Sequence, residues 1–232
     1  MPGEEEDKKQ ANHPDKIQPG QGNTLRQTYK AMVTGVDDAF GEIIKALDAK
    51  GIADNTIIWF LSDNGGSTTF GGSNAPLKGM KGSEWEGGVR AVSIVYWKGQ
   101  LQGGKKVNEV MGFVDVLPTL SKLAGAKNIP ATDGMDVIDG LKGKKLPDRY
   151  FFLGRQAVTS KNWKLNEGKL FDLSKDPSET TDVAKAFPQQ YSKMNKALVE
   201  FKKIVIPNSL INQPKGWQPP VNWDINQISS RK

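Results

Sequence analysis

The chain has 232 residues, 37% of them apolar, enough for one substantial domain or for one domain with a small appendage. Lys and Arg number 32 against 26 Asp and Glu, and the net charge of +6 fits an anionic partner or ordinary solvated surface and singles out no nucleic-acid site. The absence of cysteine and the presence of one histidine, His13, exclude disulfides, thiolate metal sites, a cysteine nucleophile and a histidine-rich metal centre.

Residues 1–24 are polar, with the charge block EEEDKK and several Pro and Gly, and they lack the apolar core of a secretory signal. No stretch of the chain reaches the roughly 18 consecutive apolar residues of a membrane span. From Leu25 the texture changes: Leu25, Tyr29, Met32, Val33, Val36, Phe40, Ile43, Ile44 and Leu47 recur at intervals of three and four. That spacing predicts an amphipathic helix ending near Lys50, with Gly51 as its left-handed cap. The run TIIWFLS, Thr56 to Ser62, reads as a strand covered on both faces, as in a parallel sheet, so helix and strand together resemble half of a crossover unit. A second buried strand is expected in RAVSIVYW, Arg90 to Trp97, and a short helix starting between Asp115 and Leu117, with Asp115 as its N-cap and Gly125 as its stop.

Residues 25–147 therefore form an α/β unit. Beyond it, RYFFLG, QAVTS, NWKLNEG and KLFDLS read as antiparallel strands joined by tight turns, and a helix is expected from Pro188 to about Val205. Residues 148–206 are thus a small α+β subdomain, an antiparallel sheet plus a helix, and 207–232 an irregular tail.

Between the first two strands lies the segment that carries chemistry, SDNGG followed by NAPLKGMKGSEWEGGVR. In open α/β sheets ligands bind beyond the carboxyl ends of the strands, where Asp63 and Asn64 sit. A carboxylate beside an amide carbonyl offers hard oxygen donors suited to calcium or magnesium, although such ions take about six or more oxygens. Taken alone, Asp-Asn-Gly-Gly reads as a turn, since these are the commonest turn residues.

The order SDNGG, KGMKGSEWEGGVR, a second strand, FVDVLPTLSKLAGA and then KLFDLSKDPSETTDVA resembles the sulfatase family. The similarity is to its arylsulfatase B-like branch, within the alkaline-phosphatase-like superfamily, and runs from about Leu25 to Phe201. The resemblance implies the C-terminal part of an alkaline-phosphatase-like mixed sheet flanked by helices. It also implies a calcium-dependent sulfuric ester hydrolase acting on sulfated sugars. Asp63 and Asn64 match the pair that ligates the calcium ion, and Lys81 matches the lysine that contacts a sulfate oxygen; Lys78 lies in the same segment. Glu86, Gly87, Gly88 and Arg90 are expected to shape the loop, with Glu86 holding a backbone group or an arginine. Trp85 is expected to pack. Asp172, Asp176 and Glu179 read as a turn with side-chain to backbone hydrogen bonds.

The sequence departs from the family at the nucleophile. Sulfatases use a formylglycine made from Cys in Cys-x-Pro-x-Arg or from an equivalent serine motif, and neither occurs in this chain. The paired N-terminal aspartates that complete the calcium site are absent as well. His13 follows EEEDKKQAN rather than an apolar strand, and is expected to be solvent-exposed. The chain is therefore expected to hold one part of an active site, to be inactive alone, and to partner the missing N-terminal half of the fold and a sulfated small molecule or glycan. By the same resemblance its compartment is periplasmic or secreted. Two other readings use the same residues: a non-catalytic sulfatase-like module that binds an anionic glycan or a partner, and a phosphate or phosphonate monoester hydrolase.

Overall fold

The computed structural model describes residues 22–204; His13, nearly all of the polar segment 1–24 and the tail at 207–232 lie outside the described residues. Helix α1 spans Leu25–Ala49. It starts with a capping box in which Thr24 Oγ1 accepts from Gln27 N at 3.1 Å and Gln27 Oε1 accepts from Thr24 N at 2.9 Å. Gly51, at φ +66°, ends it in the left-handed conformation that a side chain would resist. Phe40 of α1 meets Phe60 edge to face, with centroids 5.1 Å apart, which lays the helix against strand β1 (Ile57–Leu61).

Strand β2 (Ser93–Trp97) pairs with β1 antiparallel, Ile57 opposite Trp97 and Leu61 opposite Ser93. The parallel neighbour that the apolar run of β1 suggests is not β2. A parallel return needs a connection that carries the chain back along the sheet, usually a helix. Here residues 62–92 contain only a 3₁₀ turn, Thr68–Phe70, and the single-turn helix α2, Glu86–Val89, so the chain doubles back and β2 runs against β1. Nor are the strands covered on both faces. Residues of β1 are half-buried, and Val92, Ile94 and Tyr96 are exposed at 58%, 59% and 41%.

Helix α3 (Val116–Leu123) begins where expected, with Pro118 in its first turn and Gly125, at φ +73°, at its end. Asp115 does not cap it. Its Oδ2 accepts from Gly112 N at 2.8 Å, its Oδ1 from Met135 N at 3.0 Å, and its carboxylate pairs with Arg149. A fully buried carboxylate must be paired or hydrogen-bonded, and Asp115 satisfies this by joining three chain segments. One further turn of helix, α4, covers Ile138–Leu141.

The C-terminal unit follows the expected pattern. Strands β3 (Phe151–Leu153), β4 (Ala157–Thr159), β5 (Trp163–Asn166) and β6 (Lys169–Asp172) form an antiparallel meander in sequence order. Glu167 and Gly168, at φ +49° and +75°, make the two-residue β5–β6 turn, whose right-handed twist requires positive φ at both positions. Helix α5 (Pro188–Lys202) packs Met194 and Leu198 against Val158, Leu165 and Leu170. Those three strand residues face one another across the ladder, and so do Thr159, Lys164 and Phe171 in the adjacent row. Because side chains alternate between faces, the second row points away from α5, toward the glycine-rich segment between β1 and β2.

Candidate functional site

The site begins where β1 ends. Ser62 N donates to Val92 O at 2.9 Å, the last rung toward β2. Asp63 then turns its Oδ1 to accept from Asn64 N at 3.0 Å, and Asn64 Nδ2 donates to Gly65 O at 2.8 Å. These two hydrogen bonds do not engage Asp63 Oδ2 or the amide oxygen of Asn64. Gly65 N donates to Gly88 O at 2.9 Å, and the two chain segments approach so closely that a Cβ on Gly65 would lie 1.8 Å from the Gly87 carbonyl oxygen. Glycine is required there by space rather than by φ.

A second set of contacts places Lys81. Asn74 Oδ1 accepts from Gly66 N at 2.8 Å, while its Nδ2 donates to Gly66 O at 2.8 Å and Gly79 O at 3.2 Å. Lys81 N donates to Gly66 O at 3.1 Å. The Lys81 ammonium consequently lies 3.9 Å from Asp63 Oδ2, with both side chains largely in solvent. Lys78 is directed elsewhere, its ammonium 3.5 Å from the centroid of the Trp85 ring. Of the two lysines in the segment, Lys81 is the one brought beside the Asp-Asn pair. Asn74 had no distinguishing signal in the sequence, where SNAP reads as another turn.

Beneath this loop lies a buried group of charges. Trp85 stacks edge to face on Phe171, with centroids 5.6 Å apart, and is a packing residue. Glu86 accepts from Arg90 Nε at 2.9 Å and from Lys164 Nζ at 3.1 Å, so it does hold an arginine. Asp172 and Asp176 behave as turn residues, accepting from Ser174 N and from Thr180 N and Thr181 N. The Ser174 hydroxyl holds the Asp172 carboxyl below its ordinary range. The Glu179 backbone closes that turn, its N–H donating to Asp176 O at 3.2 Å, but its side chain leaves it. Its Oε2 accepts from Glu86 N at 2.6 Å and its Oε1 lies 3.1 Å from Lys164 Nζ. Burial pushes the Glu179 carboxyl up, against the opposing pull of Lys164. The sequence concealed this group because Lys164 alternates with apolar residues along β5, as an outward-facing polar residue would.

As a metal site, Asp63 and Asn64 fit a hard divalent cation in part, as a carboxylate and an amide oxygen on adjacent residues. Among the described residues no group of three or more His, Cys, Asp or Glu side chains is placed to hold a metal ion, and a hard cation takes about six or more oxygens.

The family profile for sulfatases matches residues 2–126, more than half of the chain. The chain belongs to the sulfatase family. Mouse steryl-sulfatase is 36% identical over 143 residues, covering 57% of this chain and 23% of that protein. Mouse N-acetylgalactosamine-6-sulfatase is 33% identical over 153 residues, 62% of this chain and 29% of that protein. The solved structure of Ps i-CgsB in complex with k-i-k-neocarrahexaose superimposes with a TM-score of 0.68 at 29% identity, over 83% of this chain and 48% of that one. The sulfatase chain thus spans less than half the length of each of these relatives. It is the C-terminal portion of the sulfatase fold, and no helix among its described residues is long and apolar enough to cross a membrane.

Proposed function

We propose that this chain forms one wall of a calcium-dependent sulfate-ester hydrolase site. The observation that carries the reading is the convergence of Asp63, Asn64 and Lys81 at the end of β1, with the Lys81 ammonium 3.9 Å from the Asp63 carboxylate. Asp63 and Asn64 would hold the cation through one carboxylate oxygen and one amide oxygen. A calcium ion there supplies Lewis-acid stabilisation of charge on sulfate oxygens. Lys81 donates hydrogen bonds to one of those oxygens, and such a preorganised donor contributes on the order of 10² to 10³ in rate. The attacking group comes from outside these residues, since the chain encodes neither Cys-x-Pro-x-Arg nor its serine equivalent.

A sulfated sugar is the substrate class of this reading, supported by the names N-acetylgalactosamine-6-sulfatase and neocarrahexaose complex among the similar proteins and compatible with the cationic excess of the chain, whereas the name steryl-sulfatase points to a sulfated sterol. The missing wall is the N-terminal half of the fold, and the compartment that goes with this reading is periplasmic or secreted.

The test is a calcium titration of the 232-residue chain followed by amide NMR shifts. Movement of the Asp63, Asn64 and Gly65 signals at millimolar calcium, abolished in Asp63→Ala, is expected, together with no turnover of an aryl sulfate by the chain alone. Binding of a sulfated glycan with no response to calcium would replace this reading with that of a non-catalytic module. Turnover that disappears in Lys81→Ala would show that the chain needs no second wall.

A further inference from the structure

The Lys81 loop is fastened on two sides. Toward β1 it is held by Lys81 N to Gly66 O at 3.1 Å and by Gly65 N to Gly88 O at 2.9 Å. Toward the four-stranded sheet it is held by acidic and basic side chains: Glu179 Oε2 accepts the backbone N–H of Glu86 at 2.6 Å, and Lys164 Nζ reaches Glu86 Oε1 at 3.1 Å. Lys164 and Glu179 have side chains with no solvent exposure. An apolar trio of the same volume is often as stable as such a buried network or more so, so stability alone is a weak reason to place it there. What the network does is geometric. Glu179 fixes the peptide of Glu86, and Gly87 N donates to Lys78 O at 2.7 Å, so the next peptide locks the start of the loop that carries Lys81. Gly88 O is then set under Gly65, next to the Asp-Asn pair.

We propose that Lys164 and Glu179 are positioning residues for the pocket formed by Asp63, Asn64 and Lys81. The C-terminal sheet is therefore part of the site's construction, acting through Glu86 and the glycine pair without touching the ligand. This inference rests on the calcium pocket proposed above. The partners that orient metal ligands from outside the coordination shell are typically worth 10- to 100-fold in affinity.

The experiment compares the wild-type chain with Glu179→Ala, Glu179→Gln and Leu198→Ala, reading calcium affinity by amide shift titration and hydrogen exchange at the Gly65 and Lys81 amides. Leu198 lies in the apolar core on the far face of the same sheet and touches none of the charges, so it controls for loss of stability alone. Glu179→Ala is expected to weaken calcium about tenfold or more and to speed exchange at both amides. Glu179→Gln keeps an acceptor for Glu86 N–H and is expected to restore most of both. Leu198→Ala is expected to leave affinity and the two amides near wild type under conditions where the chain is folded. Equal effects of Glu179→Ala and Leu198→Ala, or no effect of Glu179→Ala on exchange, overturns the positioning role. If the wild-type chain shows no calcium response, the pocket reading fails, and the exchange comparison still decides whether Glu179 positions the loop.

Discussion

The Lys164 ammonium lies 3.1 Å from the Glu86 carboxylate and 3.1 Å from that of Glu179, a cation between two anions at the junction of the glycine-rich loop and the C-terminal sheet. Removing the cation leaves two buried carboxylates facing each other without compensation. Lys164→Ala should therefore destabilise the chain by about 3–5 kcal/mol. Lys164→Met, which keeps the volume, should cost nearly as much, because the charge rather than the space is what is lost. Urea unfolding checks this, and a Met variant within 1 kcal/mol or so of wild type would show that the carboxylates simply protonate.

The pH dependence of stability separates Glu179 from the other carboxylates. Burial raises its folded pKa above the ordinary value of 4.5. The sign follows from linkage: a raised folded pKa gives stability that is fully present below the unfolded value and is lost as pH rises through the folded one. Asp172, held low by Ser174, and Glu109, held low by Lys161, act oppositely and lose their contribution as pH falls. Both titrate in the wild type and in Glu179→Gln, so they cancel in the difference. The stability of wild type relative to Glu179→Gln should be greatest below about pH 4.5 and decline as pH rises. Denaturant series at several pH values measure it, and a difference that grows with pH would contradict the assignment.

Glycines in the loop are predicted to differ sharply. An alanine Cβ at Gly65 would sit 1.8 Å from the Gly87 carbonyl oxygen, whereas at Gly103 it would meet nothing within 4 Å. Gly65→Ala should cost about 1–3 kcal/mol or more through overpacking and should displace Asp63 and Asn64, removing the calcium response. Gly103→Ala should leave both unchanged. Thermal unfolding together with the calcium titration distinguishes them, and a calcium response that survives Gly65→Ala would mean that the loop tolerates a shift of that size.

Much of this arrangement could be read from the sequence, and the part that could not has a physical reason. Leu25 to Leu47, the turn at Glu167-Gly168 and the stop at Gly125 are set by local periodicity and by positive φ, so their elements appear close to where the residues place them. The antiparallel pairing of β1 with β2 was not legible, because an apolar run reports burial and not partner orientation; the connection through residues 62–92 decides that. The long-range contacts of the Asp115 and Glu179 side chains were hidden for one shared reason. Their partners, Arg149 and Lys164, are 34 and 15 residues away, and an acidic residue near a turn looks the same whether it caps locally or reaches across the fold.

Lys81 carries a prediction whose sign is informative. Its ammonium competes with any cation for the Asp63 carboxylate. Lys81→Ala should therefore tighten calcium by about two- to fivefold at low salt, an advantage that shrinks as ionic strength rises. The same change should weaken binding of a sulfated ligand, because a donor to the sulfate oxygens is gone. Titrations of calcium and of a sulfated oligosaccharide against both proteins give the two effects separately. A Lys81→Ala variant that loses calcium and ligand together would mean that the lysine supports the loop instead of facing the site.

The exposed apolar surface makes the last prediction. Val92, Ile94 and Tyr96 around β2, and Met32, Val33, Val36 and Ile43 on α1, are all more than 40% exposed, and α1 has no fully buried residue. A two-stranded ladder with one helix against it has too little surface to cover these groups. Large apolar side chains left exposed in this number on two neighbouring elements suit a surface that meets another protein surface. In the relatives, the chain corresponds to less than half of the length, and the remaining part of the fold is the partner proposed for this face. Without it, the chain should self-associate with rising concentration, and Ile94→Lys combined with Val36→Lys should suppress that association while leaving the four-stranded sheet intact. Light scattering coupled to gel filtration measures the first and far-UV circular dichroism the second. A wild-type chain that stays monomeric and unfolds in one cooperative, calcium-independent step would show that the face needs no cover and that the half-site reading is wrong.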